Sequence, residues 1–180
     1  MVLSWGKPDL YVRLLGNNAA VWRKLSTPKE DSTQLTTSEG DKNEAKAEGG
    51  SLVDVKYKKS SFELAADFFI RKGEKKQFGE KDGLVAGNYE IYVVPAEDEE
   101  AYGMYMPKVA VSVTTNYTAA DGFTQNIKFS AIEKDNNTEQ MQLGVVEVVK
   151  TGNDVSFNFT PIEAESEFGD DSTSASTPTA

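Results

Sequence analysis

Residues 38–50 read SEGDKNEAKAEGG, and residues 51–71 continue as SLVDVKYKKSSFELAADFFIR. The first stretch has two alanines as its only apolar side chains, so it cannot build a core, and its like-charge pairs at i,i+4 disfavour a helix. A structureless connection of this length is uncommon inside a compact domain and is usually functional or disordered. We therefore predict that residues 38–50 form a long polar arm, which either stays free or reaches a partner outside the domain.

The second stretch has the pattern of β-structure. Apolar and charged side chains alternate over residues 53–57, and after a break at residues 59–60 apolar residues alternate again with polar ones from 62 to 70. Alternation with a period of two places one set of side chains on each face of a strand. The pattern predicts a hairpin that belongs to a half-buried antiparallel sheet and has the polar arm at its end.

The remaining sequence predicts a single, mainly all-β domain over residues 1–160. Alternating segments separated by turn-forming residues recur from 9 to 159, including residues 19–25, and they predict about eight strands in an antiparallel β-sandwich or barrel. Four glycines mark residues 72–87 as a second long loop. Residues 95–103 have proline, acids and glycine in the order typical of a helix from its start to its end, so one short flanking helix is predicted there.

The composition excludes most familiar catalytic sites. The 180 residues include no Cys and no His, which removes thiol nucleophiles, disulfides, Cys/His zinc sites and Ser-His-Asp triads. With 29 acidic residues some carboxylate pair always suits glycoside hydrolysis, but no spacing singles one out. The oxygen-rich segments 135–139 and 170–171 lack the spacing of a calcium-binding loop, and the first is predicted to be a turn. We therefore expect no enzyme activity, no cofactor, no metal site and no small-molecule substrate.

The net charge of −10 is unevenly distributed. Residues 161–180 contain five acids, no basic residue and many Ser and Thr, which predicts an acidic C-terminal tail that is disordered unless a partner holds it. The body lacks the basic footprint of a protein that reads nucleic acid sequence. The N-terminus has no signal-peptide pattern, and no apolar stretch approaches the ~20 residues of a membrane span. These features predict a chain that stays inside the cell that makes it, with no membrane partner.

Three stretches resemble the tail tube (major tail) proteins of long-tailed bacteriophages and of related contractile injection systems. The first is the arm with the strands that follow it, residues 39–64. The second, YEIYVVPAED at 89–98, is a strand that ends in proline and acids. The third, TTNYTAADG at 114–122, leads into FSAI at 129–132. The resemblance spans roughly residues 34–135 and is one of layout, with no catalytic signature.

The resemblance implies a structural subunit that self-assembles into hexameric rings, which stack into a hollow tube through which DNA passes without specific binding. Its partners would be copies of itself and other tail proteins, and it would be located in the virion tail after assembly in the host bacterial cytoplasm. In the family a long loop between early strands reaches the adjacent ring, and the arm occupies the matching place. The candidate inter-ring residues are Glu39, Asp41, Lys42, Glu44, Lys46 and Glu48.

Two further groups of charged residues are candidates in the same scheme. The first is a basic loop between neighbouring subunits, formed by Arg71, Lys72, Lys75 and Lys76, which could pair with an acidic arm of the next subunit or contact nucleic acid. The second is a set of acids on the polar faces of predicted strands, Glu63, Asp67 and Glu90. The lumen in the tube family tends to be negative, so these acids are candidates to line it. For both groups an ordinary solvated surface is the alternative.

A monomeric β-sandwich binding or adhesion module is the alternative function. Trp5, Tyr11 and Trp22 could stack on a sugar in such a module, but they alternate as core or interface residues do. The arm has no aromatic residue to serve as a ligand platform, and the N-terminus has no secretion signal. Both observations favour the structural subunit.

Overall fold

The computed structural model describes residues 7–17, 20–95 and 102–163 of the chain. These residues form β-strands and irregular connections, with no helix among them, which confirms the mainly all-β prediction. Nothing in the described ranges is a helix long and apolar enough to cross a membrane. The predicted helix at 95–103 falls mostly on residues 96–101, which lie outside the described residues, as does the acidic tail from residue 164 onward.

The described residues contain twelve strands, numbered in chain order. They are β1 (Pro8–Leu14), β2 (Arg23–Lys24), β3 (Gln34–Ser38), β4 (Lys42–Lys46), β5 (Leu52–Tyr57), β6 (Ser61–Phe69), β7 (Glu80–Lys81), β8 (Leu84–Pro95), β9 (Gly103–Thr118), β10 (Gly122–Ala131), β11 (Gln142–Thr151) and β12 (Asp154–Pro161). This count exceeds the eight predicted, partly because β4 and β7 lie in segments that were expected to be irregular.

Ten of these strands form one continuous antiparallel sheet. Its main path runs in the order β2-β1-β8-β9-β10-β6-β3, while β7 pairs with β8 and the β11–β12 hairpin joins the start of β9. The other two strands, β4 and β5, form a separate two-stranded sheet. The molecule therefore consists of a large sheet with its own core and a small sheet outside it.

One face of the large sheet supplies the core. Alternate residues of its central strands are buried on this face, and the largest are Leu10, Phe68, Ile91, Met106, Ile127 and Phe129. The connections after β2 and β6 add Leu25 and Phe78, and the Phe78 ring packs edge-on against Tyr89 and Phe129. Burying a large apolar side chain contributes about 1.5–3 kcal/mol, so Phe78 anchors the long connection that contains it.

The second predicted loop, residues 72–87, is partly regular. Glu80 and Lys81 of β7 pair with the start of β8 across a two-residue turn. Asp82 (φ 53°) and Gly83 (φ 81°) in this turn both have positive φ, as the Asp-Gly sequence of a type I′ hairpin requires. The prediction of an irregular loop is therefore wrong for the second half of this segment.

The β11–β12 hairpin covers part of the opposite face of the large sheet, over β1 and β8. The Phe157 ring stacks on Tyr92, with centroids 4.4 Å apart, and meets Tyr11 edge-on at 5.1 Å. Trp22 joins this cluster at 5.0 Å from Phe157. Tyr11 and Trp22 therefore pack as the alternation predicted, whereas Trp5 lies outside the described residues.

Two strand predictions are wrong. Of the strand expected over residues 19–25, Arg23–Lys24 alone is paired, as β2, within the part that the structure describes. The hairpin expected between residues 53–57 and 62–70 does not form, because β5 pairs with β4, and the neighbours of β6 are β10 and β3. Residues 53–57 thus lie outside the half-buried sheet to which their alternation assigned them.

Gln125 offers a test of the core. This residue of β10 is 2% exposed, and its Nε2 atom has no hydrogen-bond partner among the described residues. A buried donor without a partner costs about 1–3 kcal/mol. Gln125→Met keeps the side-chain length and removes the donor, so we expect the free energy of unfolding in urea to rise by about 1 kcal/mol.

The matched control for this change is Gln34→Met, at an exposed position of β3. It should leave the free energy of unfolding within about 0.5 kcal/mol of the wild-type value. A destabilised Gln125→Met variant, or equal effects at the two positions, would contradict the assignment of Gln125 as a core residue with an unsatisfied buried donor.

Candidate interaction surfaces

The predicted arm forms one strand of a two-stranded β-ribbon, residues 41–58. β4 pairs with β5 so that Lys42 lies opposite Tyr57, and two glycines with positive φ, Gly49 and Gly50, lie in the turn. The prediction of a structureless arm is therefore wrong. A glycine pair between two alternating segments is a hairpin signal, and it could have identified the ribbon from the sequence.

The ribbon continues the hairpin that β3 and β6 form at the edge of the large sheet. Ser38 lies opposite Ser61, and Lys42, four residues later, lies opposite Tyr57, four residues before Ser61. The register is therefore the same on both sides of the junction. Between them the Lys58 N–H donates to the carbonyl oxygen of Asp41 at 2.9 Å. At the junction a Cβ on Gly40 would lie 2.0 Å from the Lys58 carbonyl oxygen, so the two strands approach too closely for any side chain there.

The ribbon exposes large apolar side chains. All three are on β5: Leu52 is 53% exposed, Val53 66% and Tyr57 68%. The prediction that this segment has a half-buried face is wrong, because β4 covers one edge of β5 and neither of its faces. These side chains are a candidate interaction feature that the sequence analysis missed, since it assigned the arm's role to charged residues alone.

The charged residues predicted for the arm are at the surface. Glu39, Asp41, Lys42, Glu44, Lys46 and Glu48 are all exposed. Glu44 pairs with Lys42 and, at 3.4 Å, with Lys46 on the same strand, and Asp41 pairs with Lys58 at 2.9 Å. Surface ion pairs contribute about 0–1 kcal/mol each, so they add little to the stability of the ribbon.

The part of the outer sheet face formed by β6, β10 and the facing residues of β9 is polar, and we call it the open polar face. Its residues alternate with buried ones on β6, β9 and β10 and include Glu63, Asp67, Ser112, Thr114, Asn126 and Lys128. Lys128 Nζ lies 3.3 Å from Glu63 Oε1, and the Asn126 amide donates to Asp67 Oδ1 at 2.7 Å. Two of the three predicted lumen acids therefore lie together on one face.

Glu90 is not on the open polar face. It is 4% exposed, and its carboxylate accepts hydrogen bonds from Arg13 Nε at 2.6 Å and from the Tyr105 hydroxyl at 2.9 Å. Burial, reinforced by this carboxylate, raises the pKa of Tyr105 well above its usual range, so the hydroxyl remains a donor. The Arg13 guanidinium also lies 4.7 Å from the Trp22 ring centroid. The expectation that Glu90 lies on a solvated strand face is therefore wrong, because its charge is buried and paired.

The basic loop after β6 is exposed and partly neutralised. The predicted set is Arg71, Lys72, Lys75 and Lys76. Glu74 approaches Arg71 at 3.7 Å, and Glu80 pairs with Lys76 at 2.8 Å. The other two lysines form no ion pair within the residues that the structure describes. The loop therefore has two cations that are open to an external partner.

The oxygen-rich segment 135–139 forms a turn, as predicted. The Asn137 N–H donates to Asp135 Oδ1 at 2.9 Å. Hydrogen bonds from Thr138 and Asn137 lower the pKa of Asp135, which keeps its carboxylate charged as a turn acceptor. Across the described ranges no group of three acidic side chains is placed to hold a metal ion.

Comparison with known proteins leaves the functional argument to the geometry. The chain matches no protein-family model, and no curated protein matches it. The ribbon, the open polar face and the basic loop are therefore the features on which a function can be argued.

Gly40→Ala tests whether the ribbon depends on the close approach at its base. The added methyl group would meet the Lys58 carbonyl oxygen at 2.0 Å, so the strands must separate there. We expect amide exchange in the ribbon to accelerate about tenfold or more, while exchange in the large sheet stays unchanged. Hydrogen–deuterium exchange with mass spectrometry measures both regions in one experiment.

The control for this substitution is Gly79→Ala, where nothing lies within 4 Å of an added Cβ. It should leave exchange in both regions at the wild-type rate. Wild-type protection of the ribbon in the Gly40→Ala variant would show that the junction tolerates a side chain and is not a constraint.

Arg13→Met tests the buried pair. The substitution leaves the Glu90 carboxylate buried without a counter-charge, which costs about 3–5 kcal/mol when both partners are fully buried. Because the Arg13 side chain is 40% exposed, we expect a loss of about 2–3 kcal/mol in urea unfolding. Lys24→Met removes the more exposed pair with Asp9 and should cost less than about 1 kcal/mol. Equal losses in the two variants would contradict the distinction.

Proposed function

We propose that the chain is a structural subunit that assembles with identical copies into hexameric rings, which stack into a hollow tube like the tail tube of a long-tailed bacteriophage. The ribbon is the observation that supports this most. It is an exposed two-stranded sheet that carries Leu52, Val53 and Tyr57 outside the core of the domain. The resemblance to tail tube proteins supplies the number of subunits in a ring and the tube itself.

Energetics favour a partner on the ribbon. An isolated two-stranded hairpin is at best marginally stable in water. Burying an apolar side chain such as leucine or valine contributes about 1.5–3 kcal/mol, more than an exposed ion pair does. A surface that covers β5 would therefore stabilise the ribbon substantially. The domain loses nothing by this arrangement, because none of its core residues belongs to the ribbon.

Two edges of the large sheet support association into rings. β3 reads QLTTS and β12 reads DVSFNFTP, and Asp154 is the one charged residue of the two strands. Each pairs on one side with a single described strand. Proteins usually protect such edges with charges or bulges, as β2 is protected here by Arg23 and Lys24. Pairing of unprotected edges between neighbouring copies closes a ring when the rotation between them permits.

The open polar face is the surface that we assign to the lumen. It presents hydroxyl and amide groups with two acids, Glu63 and Asp67, and one lysine, Lys128. A surface without clustered cations does not bind the phosphate backbone strongly, so DNA would pass without specific binding. In this function the protein acts in the virion tail after assembly in the host cytoplasm, and other tail proteins contact the ends of the tube.

Replacing residues 39–60 with Asn-Gly tests the role of the ribbon. Ser38 and Ser61 lie opposite each other, and a two-residue Asn-Gly turn joins such a pair without disturbing it. We expect the wild-type protein to form rings and tubes, detected by light scattering and negative-stain electron microscopy. The shortened protein should melt as the wild type does and form no stacked tubes.

Val21→Ser is the control, because Val21 is 68% exposed outside the ribbon. This variant should still form tubes. A wild-type protein that stays monomeric at every concentration would overturn the proposal and favour the monomeric binding module. Normal tubes from the shortened protein would remove the ribbon from the stacking contact.

A further inference from the structure

An aromatic pair lies at the end of the large sheet that is opposite the ribbon. Tyr117 of β9 and Phe123 of β10 face each other with ring centroids 4.9 Å apart, and they are 64% and 56% exposed. β6 runs from the ribbon at Ser61 to Phe69, which pairs with Thr124 beside the aromatic pair. Nine residues of strand span about 30 Å, so the rings and the ribbon lie at opposite ends of one sheet.

The basic loop borders this aromatic pair. The Ile70 N–H donates to the Phe123 carbonyl oxygen at 3.0 Å, which places Lys72, two residues later, at the same end of the sheet. The acid in the adjacent turn, Asp121, is neutralised by Lys29 at 2.6 Å. This end of the sheet therefore combines exposed rings with Lys72, and Lys75 follows in the same loop; neither lysine has an acidic partner in the described ranges.

The tip of the ribbon has the complementary properties. Leu52 and Val53 are exposed beside the acids Glu48 and Asp54. Neither acid forms an ion pair within the part of the chain that the structure describes, although Glu44 nearby has two. The tip thus presents two apolar side chains and two acids, while Lys46, opposite Leu52, is paired with Glu44. The far end of the sheet presents two rings and the start of the basic loop.

We propose that Tyr117, Phe123, Lys72 and Lys75 form a receiving surface on which the ribbon tip of a second copy docks. This inference rests on the proposed self-assembly and names the partner of the ribbon. Because the two surfaces lie at opposite ends of one sheet, end-to-end stacking of identical copies brings one against the other. Each subunit then uses each surface once, and the contact repeats along the stack.

Cysteine cross-linking tests this pairing directly, because the chain has no cysteine of its own. The variant Val53→Cys/Phe123→Cys has one thiol on the ribbon tip and one on the receiving surface. The two positions are too far apart within a chain for a disulfide, so oxidation can join only different copies. We expect a ladder of disulfide-linked multimers on a non-reducing gel, whereas each single variant gives dimers at most.

The matched control is Val53→Cys/Val145→Cys, since Val145 is 43% exposed on β11, outside the receiving surface. It should give no ladder beyond dimers. A ladder from the control and none from Val53→Cys/Phe123→Cys would overturn the receiving surface. Light scattering of the wild-type protein separates the two proposals: assembly without the ladder overturns the receiving surface alone, and no assembly overturns the proposed function as well.

Charge reversal gives an independent measurement. Lys72→Glu/Lys75→Glu and Glu48→Lys/Asp54→Lys each bring like charges together at the contact, so each variant alone should need about tenfold more protein to assemble. In an equal mixture every ribbon meets an opposite charge on the other variant, and assembly should return to the wild-type concentration. A mixture that assembles no better than its components would overturn the pairing of these surfaces.

Discussion

The two strands of the ribbon hydrogen-bond to each other, but no second layer of the protein packs on either face. This constraint leaves the large apolar side chains of β5 exposed. β5 and β6 have the same alternation of apolar and polar residues. β6 lies between β10 and β3, and its alternate residues enter the core. β5 has β4 on one edge and both faces open, so Val53 and Tyr57 remain exposed. The difference lies in the neighbours of the two strands and not in their sequences.

The large sheet, in contrast, satisfies both of its faces over much of its area. Its inner face is buried with Phe78 and Leu25 packed on it, and the part of its outer face around Tyr92 lies under the aromatic cluster that contains Phe157. Arg13 and Tyr105 hold the one buried carboxylate beside that cluster among the described residues. Folding therefore depends on the large sheet, whereas the association that we propose would depend on parts that the sheet leaves uncovered. Substitutions in the ribbon can change one without the other.

The fold class was predictable because long alternating segments such as β1, β6 and β10 dominate the chain. The ribbon leaves a weaker signal. β4 has charged side chains on one face and Asn43 and Ala45 on the other, so it has no hydrophobic period, and the pair Gly49 and Gly50 is the sequence feature that indicates its hairpin. The position of Glu90 shows a second limit. Alternation with Ile91 predicts that Glu90 lies in a strand, on the face opposite the core. The β11–β12 hairpin that buries this face begins more than 50 residues later in the chain. Periodicity identifies faces, and only the tertiary fold decides which faces are covered. Alternation predicts that Tyr117 and Phe123 face the core. Their strands extend beyond the core, however, so both rings are exposed.

The edges of a sheet face along its hydrogen bonds, and its ends face along its strands, so the two directions are perpendicular. A stacked-ring assembly needs contacts in both directions, one within the ring and one between rings. Pairing at β3 or β12 extends the sheet along its hydrogen bonds, whereas the ribbon and the receiving surface lie along the strands. In the proposed tube, ring closure and stacking would therefore use different atoms of the same subunit. The stacking contact joins two unlike surfaces, so it gives the stack a direction and does not close on itself. One end of such a stack presents free ribbons and the other presents free receiving surfaces. In the proposed tube, the two ends would therefore need two different partner proteins: one that covers the free ribbons and one that supplies a ribbon to the free receiving surfaces.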